Sequence, residues 1–292
     1  MWGLLVPMLV AVVAAFGAAT VQRRLRPDWA TWTLTALAGG SALAVLWAVS
    51  VLAVSFALEQ PTLGAVFGWC RAVFSTHDRV SAPVGIAAWI ALSLMTASGV
   101  RHLSRRRRAS AAPADDVIHS QDPVAFAVPG RPGRIVVSTG MLDALDEDER
   151  RVLYAHERSH LRRHHHRFLH VAEAAAAAVP FLRPLSHQVR FATERWADED
   201  AATAVGDRHV VARAIARAAL AASGTPDRHV ALSFTGCTAR ARVDAMLQPS
   251  RRTPWASMSL AVLGVSTLAV SIAGSGIQLH HLVEFIDHIC RV

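Results

Sequence analysis

Two histidines and one glutamate have a spacing that could hold and use a metal ion. His156 and His160 are four residues apart, and Glu157 follows the first histidine, in a stretch of helical apolar periodicity that begins at the acidic run 146–149. Four residues of α-helix advance about 400°, so both imidazoles would lie on nearly one face. Such a pair can bind Zn²⁺, which lowers the pKa of a bound water until a neighbouring carboxylate can take its proton. The pattern therefore predicts a zinc hydrolase with Glu157 as its base; a chance match is the alternative, because four more histidines follow, at 164, 165, 166 and 170.

A zinc site of this kind needs a third protein ligand, and Glu194 is the candidate. Glu194 and Asp198 are again four residues apart within a helical pattern. One carboxylate can complete a site of two histidines and one glutamate, while the other can hold the second nitrogen of a ligand imidazole. We therefore predict one Zn²⁺ per chain, bound by His156, His160 and Glu194, with Asp198 supporting a ligand. The alternative is that Glu194 and Asp198 belong to a solvated acidic face.

The composition indicates a membrane protein. Of 292 residues, 52% are hydrophobic, and the mean hydropathy is +0.30. The net charge of +8 could suggest a nucleic-acid-binding protein, but the arginines cluster beside apolar segments, where membrane topology explains them. We expect contact with the lipid bilayer and no direct contact with nucleic acid. Apolar segments long enough for about four transmembrane helices lie at 3–20, 32–58, 83–100 and 255–279.

The arginine distribution predicts the orientation of these segments. Arginines are concentrated at 21–30 and 101–108, whereas the connection between the second and third segments has few. Positively charged connections stay in the cytoplasm. We therefore expect a cell-membrane protein with three transmembrane helices in 1–108, a cytoplasmic catalytic domain in 109–254, and a fourth transmembrane helix with a short tail in 255–292. The N-terminus and the C-terminus would both lie outside.

Four ordered blocks of sequence resemble a known group of enzymes. These blocks, at 125–130, 133–142, 145–160 and 194–201, are similar to the membrane-embedded gluzincin proteases. That group includes the HtpX and CAAX-prenyl protease family and the BlaR/MecR-type receptor peptidases. The resemblance implies that His156, His160 and Glu194 bind zinc and that Glu157 is the base. The HtpX branch often has Asn where this chain has Val124, which favours the receptor-peptidase branch.

The resemblance also implies a fold and a function. We expect a mainly α-helical (α+β) zincin-type domain whose strands near 126–128 and 134–138 flank the zinc site and pair with an extended substrate. The implied function is cleavage of a protein or peptide at the cytoplasmic face, such as a transcriptional repressor. The alternatives are membrane quality control of the HtpX kind and a non-catalytic receptor. Only residues 280–292 follow the fourth predicted segment, so we expect no external sensor domain.

Three further features leave alternatives open. Arg242 matches a segment that closes the family's catalytic domain, and Arg242, Arg240 and His229 are candidates for stabilising an oxyanion or contacting substrate. The charged run 162–166 is interpreted as a hydrated cationic helix end, with a second metal site as the alternative. Segment 171–181 is too short to cross a bilayer, so it would either enter the interface or pack on the third transmembrane helix.

Cys70 and Cys290 would face the same oxidising side of the membrane. A disulfide could form there between them, or both could stay free thiols.

Overall fold

A computed structural model describes residues 2–60, 80–108, 115–223 and 229–248. Within these ranges the chain is mostly helical and has one small sheet, as the sequence predicts. The fourth predicted transmembrane segment, Cys70 and Cys290 lie outside the described residues.

The N-terminal part consists of three helices: α1 (Trp2–Arg24), α2 (Pro27–Glu59) and α3 (Ala82–Arg108). Helix α2 begins at Pro27, where the missing N–H of proline costs nothing. Among the described residues, Pro27–Ala57 and Ala82–Arg105 are long and apolar enough to cross a membrane, by length and composition only. Helix α1 covers the first predicted segment but is not one of these two.

A three-stranded sheet follows, formed by β1 (Val117–Ile118), β2 (Ala125–Val128) and β3 (Arg134–Ser138). Its order is β1-β3-β2, with β1 parallel and β2 antiparallel to β3, and Ala125 pairs with Val137. Both longer strands lie where the sequence predicts them, and β2 is an edge strand of this sheet.

The helix with the histidine pair begins where its acidic run predicts. Ser138 caps the short helix α4 (Thr139–Ala144), and Asp146 then caps α5 (Glu147–Arg162). Asp146 accepts a hydrogen bond from the N–H of Glu149, while the Glu149 carboxylate accepts one from the N–H of Asp146. This capping box satisfies two backbone donors at once and fixes the first turn of α5.

Four more helices complete the described part of the chain. They are α6 (His165–Ala178), α7 (Arg183–Val205), α8 (Arg208–Ser223) and α9 (His229–Leu247), with a 3₁₀ turn at Pro180–Leu182 between α6 and α7. Helix α7 ends at Gly206, whose φ of 82° is a conformation that glycine adopts without strain.

A single hydrophobic cluster joins the N-terminal helices to the helices near the site. It contains Leu34 of α2, Phe168 of α6, and Leu185 and Val189 of α7. Helix α6 packs against both α2 and α3. Segment 171–181 therefore lies against the predicted transmembrane helices, which agrees with the packing alternative for this segment. Buried side chains from both sides of residue 108 pack in this cluster, so the described parts of regions 1–108 and 109–254 share a hydrophobic core.

Candidate metal centre

Helices α5 and α7 bring together the three predicted zinc ligands. One ligand atom each from His156, His160 and Glu194 lies within 4.8 Å of the others. The two Nε2 atoms of the histidines are 3.1 Å apart. Glu194 places one carboxylate oxygen 3.4 Å from Nε2 of His156 and the other 3.7 Å from Nε2 of His160.

These separations are compatible with a bound zinc ion. Zinc bonds to nitrogen and oxygen of about 2.0–2.2 Å place neighbouring tetrahedral ligands about 3.3 Å apart. The two histidine nitrogens are 3.1 Å apart, and the two Glu194 oxygens lie at 3.4 and 3.7 Å from different histidines, all near that value. The Glu194 side chain is 29% exposed, so the open side of the cluster can take a water or a substrate.

Asp198 lies directly behind His156. Its carboxylate is 3.0 Å from Nδ1 of His156 and is 1% exposed. A proton on Nδ1 directed at this carboxylate leaves the lone pair of Nε2 facing the metal position. With a metal bound at Nε2, this contact would set both the tautomer and the ring orientation of His156.

Arg242 of α9 holds both site carboxylates. Its guanidinium donates to Asp198 at 2.7 and 2.6 Å, and its third nitrogen is 3.0 Å from Glu194. A planar guanidinium suits such paired carboxylate contacts. Arg242 therefore holds Glu194 and Asp198 in this structure, and its contact with an oxyanion or a substrate stays a prediction. Arg240 is exposed, and the side chain of His229 lies outside the described residues.

His165 belongs to the site, although the sequence interpretation placed it in a hydrated helix end. Its side chain is fully buried, and its Nδ1 lies 3.0 Å from Nδ1 of His160. If His160 binds the metal through Nε2, its Nδ1–H can donate to His165, just as His156 donates to Asp198. The hydrated-end interpretation was wrong for His165, whereas Arg162, Arg163 and His164 are exposed as expected.

The base candidate Glu157 lies between the metal cluster and the edge strand β2. The N–H of Ser138 donates to the carbonyl of Val124, which shows which residues of β2 bond to β3. In an antiparallel pair these residues alternate, so the N–H of Ala127 points away from β3, to the open edge of the sheet. That N–H donates to the Glu157 carboxylate. Burial raises the pKa of Glu157 above its usual range, which makes this carboxylate a stronger proton acceptor.

The protonation states of the ligands are set by burial and by their neighbours. Burial disfavours the charged form of His156, but hydrogen bonds with Asp198 and Glu194 outweigh it and raise the pKa of His156 to about 10. Burial lowers the pKa of His160 to about 4, so this imidazole is neutral at pH 7. Burial also opposes the charge of Glu194, but Arg242 and the two histidines hold the pKa of that carboxyl well below its usual range.

Comparison with known proteins finds a similarity to one family of enzymes in this region. Curated proteins and solved structures give no match. The model of peptidase family M48 matches residues 95–223, which is 129 of 292 residues (223 − 95 + 1). The matched region includes the helices that carry His156, Glu157, His160 and Glu194, and it ends before Arg242. Residues 95–223 are therefore similar to the M48 peptidases, a family of metalloproteases that are generally zinc-dependent.

Proposed function

We propose that this protein is an integral-membrane zinc endopeptidase that hydrolyses peptide bonds of a protein substrate. The observation that carries the proposal is the convergence of His156, His160 and Glu194 within 4.8 Å, with Glu157 on the same side as an edge strand. The two apolar helices α2 and α3 support the membrane location. We further propose that the site works at the cytoplasmic face, on the basis of the arginine distribution.

The residues divide the chemistry between them. Zinc bound by His156, His160 and Glu194 would polarise the scissile carbonyl and acidify the attacking water. Glu157 accepts the proton of that water and later delivers it to the leaving amine. The outer edge of β2 can align an extended substrate beside Glu157. Asp198, His165 and Arg242 keep the ligand side chains in place.

Removal of the base tests this proposal. Glu157→Gln keeps the shape of the side chain but cannot accept a proton, so cleavage of an unfolded protein such as casein should fall by about 10²–10⁴-fold. Zinc content, measured by elemental analysis, should stay unchanged. Glu194→Ala should instead lose most of the zinc. Glu147→Gln is the matched control, because Glu147 is an exposed residue of the same helix.

A result of either of two kinds would contradict the assignment. Wild-type cleavage by Glu157→Gln would remove Glu157 from the mechanism. Full zinc occupancy in Glu194→Ala would remove Glu194 from the ligand set. A wild-type protein that binds zinc but cleaves no protein substrate would favour a non-catalytic receptor.

For the substrate, we propose a cytoplasmic regulator such as a transcriptional repressor. Val124, in place of the Asn that the HtpX branch often has, supports this over quality control. Glu157→Gln can serve as a trap, because it should bind substrate without cleaving it. Recovery of one soluble DNA-binding protein from cells with the trap is the expected result, whereas a mixture of damaged membrane proteins would favour quality control.

A further inference from the structure

A basic cavity lies at the junction of α5 and α6, apart from the metal centre. Its volume is about 780 Å³. Its walls come from the loop after β2, from the last two turns of α5 and from the start of α6. Six of its lining residues are basic and none is acidic: Arg131, Arg158, Arg162, Arg167, His164 and His166.

Three of these arginines have no carboxylate partner among the residues that the structure describes. Arg162 is paired with Asp200 at 2.9 Å. In the part of the chain that the structure describes, no carboxylate forms an ion pair with Arg131, Arg158 or Arg167. Like charges that face one space repel each other, and an anion in that space would relieve the repulsion.

The cavity is separate from the metal site because it lies on the other side of α5. Arg158 follows the ligand His156 by two residues, which is about 200° around a helix. The loop after β2 closes the cavity against Leu161, since a Cβ on Gly133 would lie 3.0 Å from the Leu161 side chain. A substrate at the metal centre would therefore not occupy this cavity.

The cavity lies at the level where α2 begins. Phe168, next to Arg167, contacts the ring of Trp32 with centroids 4.7 Å apart. Trp32 and Trp29 are in the first turns of α2 and are 60% and 44% exposed. Exposed tryptophans near the end of an apolar helix are typical of a membrane interface.

We propose that this cavity binds the phosphate of an anionic lipid headgroup. Guanidinium groups donate paired hydrogen bonds to phosphate oxygens, and Arg131, Arg158 and Arg167 supply three of them to one space. No side chain caps the N-terminus of α6 at His164, so the positive end of that helix adds to the field. A lipid is favoured over a soluble phosphate because the exposed tryptophans place the cavity at the bilayer surface. The inference rests on the proposed membrane location and not on proteolysis.

Lipid binding by the full-length protein in mild detergent tests the proposal. Native mass spectrometry would count adducts of phosphatidylglycerol and of the zwitterionic phosphatidylcholine. Wild type should prefer phosphatidylglycerol, and the triple variant Arg131→Gln, Arg158→Gln, Arg167→Gln should bind it at least tenfold more weakly. Arg151→Gln is the control, because Arg151 is an exposed arginine at the other end of α5. Unchanged zinc content would show that the triple variant is folded, and replacement of the same three residues by Lys, which keeps the charge, should retain part of the binding.

The possible outcomes separate the sources of the anion. Equal binding of phosphatidylglycerol by wild type and by the triple variant would overturn the proposal. Stabilisation by inorganic phosphate without a preference for phosphatidylglycerol would keep the phosphate chemistry and reject the lipid. Binding of a polyglutamate peptide but not of the lipid would show a protein-docking site instead. A chain that stays in solution without detergent would refute the membrane location, whereas activity of Glu157→Gln would refute only the protease mechanism.

Discussion

At the scale of single residues, each imidazole of the candidate metal centre is held by a second side chain. Asp198 accepts from His156, and His165 lies 3.0 Å from His160 in the equivalent position. The roles differ in charge: Asp198 is paired with Arg242, whereas burial lowers the pKa of His165 to about 3 and keeps it neutral. A neutral imidazole can accept from His160 only if its own proton is on Nε2, and that atom is buried without a hydrogen-bond partner among the described residues.

We therefore expect His165→Ala to weaken zinc binding by about 10–100-fold, as loss of a supporting partner usually does. The cause is the Nδ1–H of His160, which would be buried with no acceptor. Competition with a zinc chelator, at a temperature where both proteins are folded, measures the change. His165→Asn should restore part of the affinity because its amide oxygen can accept. Equal affinity in wild type and His165→Ala would show that His165 only fills space.

Zinc binding should also depend on pH through His156. With a pKa of about 10, His156 carries a proton at pH 7 that must leave when zinc binds, whereas His160 is already neutral. Zinc affinity should therefore rise with pH, by about tenfold per unit up to about pH 10, because metal ligands bind only when deprotonated. Calorimetry in buffers of different ionisation enthalpy should find about one proton released per zinc at pH 7. Release of no proton would mean that His156 is neutral before zinc binds.

The sequence predicts the four site residues 156, 157, 160 and 194 but not their partner His165. The spacing of His156 and His160 is sufficient because the helix itself fixes their relative positions. His165 comes near His160 only because the chain turns at His164, whose φ of 54° is left-handed. In the sequence it is one of three consecutive histidines, and nothing there distinguishes the buried one from its exposed neighbours.

At the scale of elements, a cluster around Asp200 fastens α7 to α5. Asp200 accepts from Ser159 at 2.7 Å, from Arg162 at 2.9 Å and from Arg163 at 3.0 Å. It lies on the same helix as Glu194, so this contact fixes the position of the third ligand relative to the histidine pair. The sequence shows these charges but not their pairing, because the partners are far apart along the chain.

Asp200→Asn should lower the free energy of unfolding by about 1 kcal/mol, a modest value because Arg162 and Arg163 are exposed and water screens them. Burial opposes the charge of Asp200, but Arg163, Ser159 and Arg162 outweigh it and lower its pKa. Its stabilising effect is therefore present above the unfolded pKa of about 3.9 and is lost as pH falls through the lower folded value. Denaturant unfolding at pH 7 and pH 2 should show a smaller difference between wild type and Asp200→Asn at pH 2 than at pH 7. The same difference at both pH values would mean that the charge of Asp200 is not the cause.

At the scale of the whole molecule, the shared core of N-terminal and site helices is the feature that the sequence hides. Charge and hydropathy divide the chain near residue 108, and the family match begins at residue 95, within α3. Packing across that division depends on small residues such as Ala172, Ala175 and Ala192, which are buried at the contact. Alanine is apolar enough to be buried yet contributes little to a hydropathy pattern, so the contact surface of α6 and α7 has no strong sequence signal. The small side chain of alanine also lets helices approach closely, and this brings the metal centre near α2.

The orientation of the molecule remains a prediction from its arginines. Arg23 and Arg24 end α1, Arg26 follows it, and Arg101 and the run 105–108 lie at the end of α3. These two ends should therefore lie on the cytoplasmic side. Helix α2 begins at the first of these ends, and through Phe168 and Trp32 the metal-site helices pack beside that start. The same charges that orient the membrane helices should therefore also keep the metal centre in the cytoplasm.

A reporter enzyme that is active only outside the cytoplasm can test this orientation. This reporter should be inactive when it is fused within residues 109–114 and active when it is fused after Val292. A reporter enzyme that is active only in the cytoplasm should give the opposite result at both positions. Replacement of Arg105, Arg106, Arg107 and Arg108 by Gln should weaken the orientation signal and give a mixed population at the first position. An active external reporter at 109–114 in the wild-type chain would place the metal centre outside the cell, and the substrate would then have to be an external or membrane protein rather than a cytoplasmic regulator.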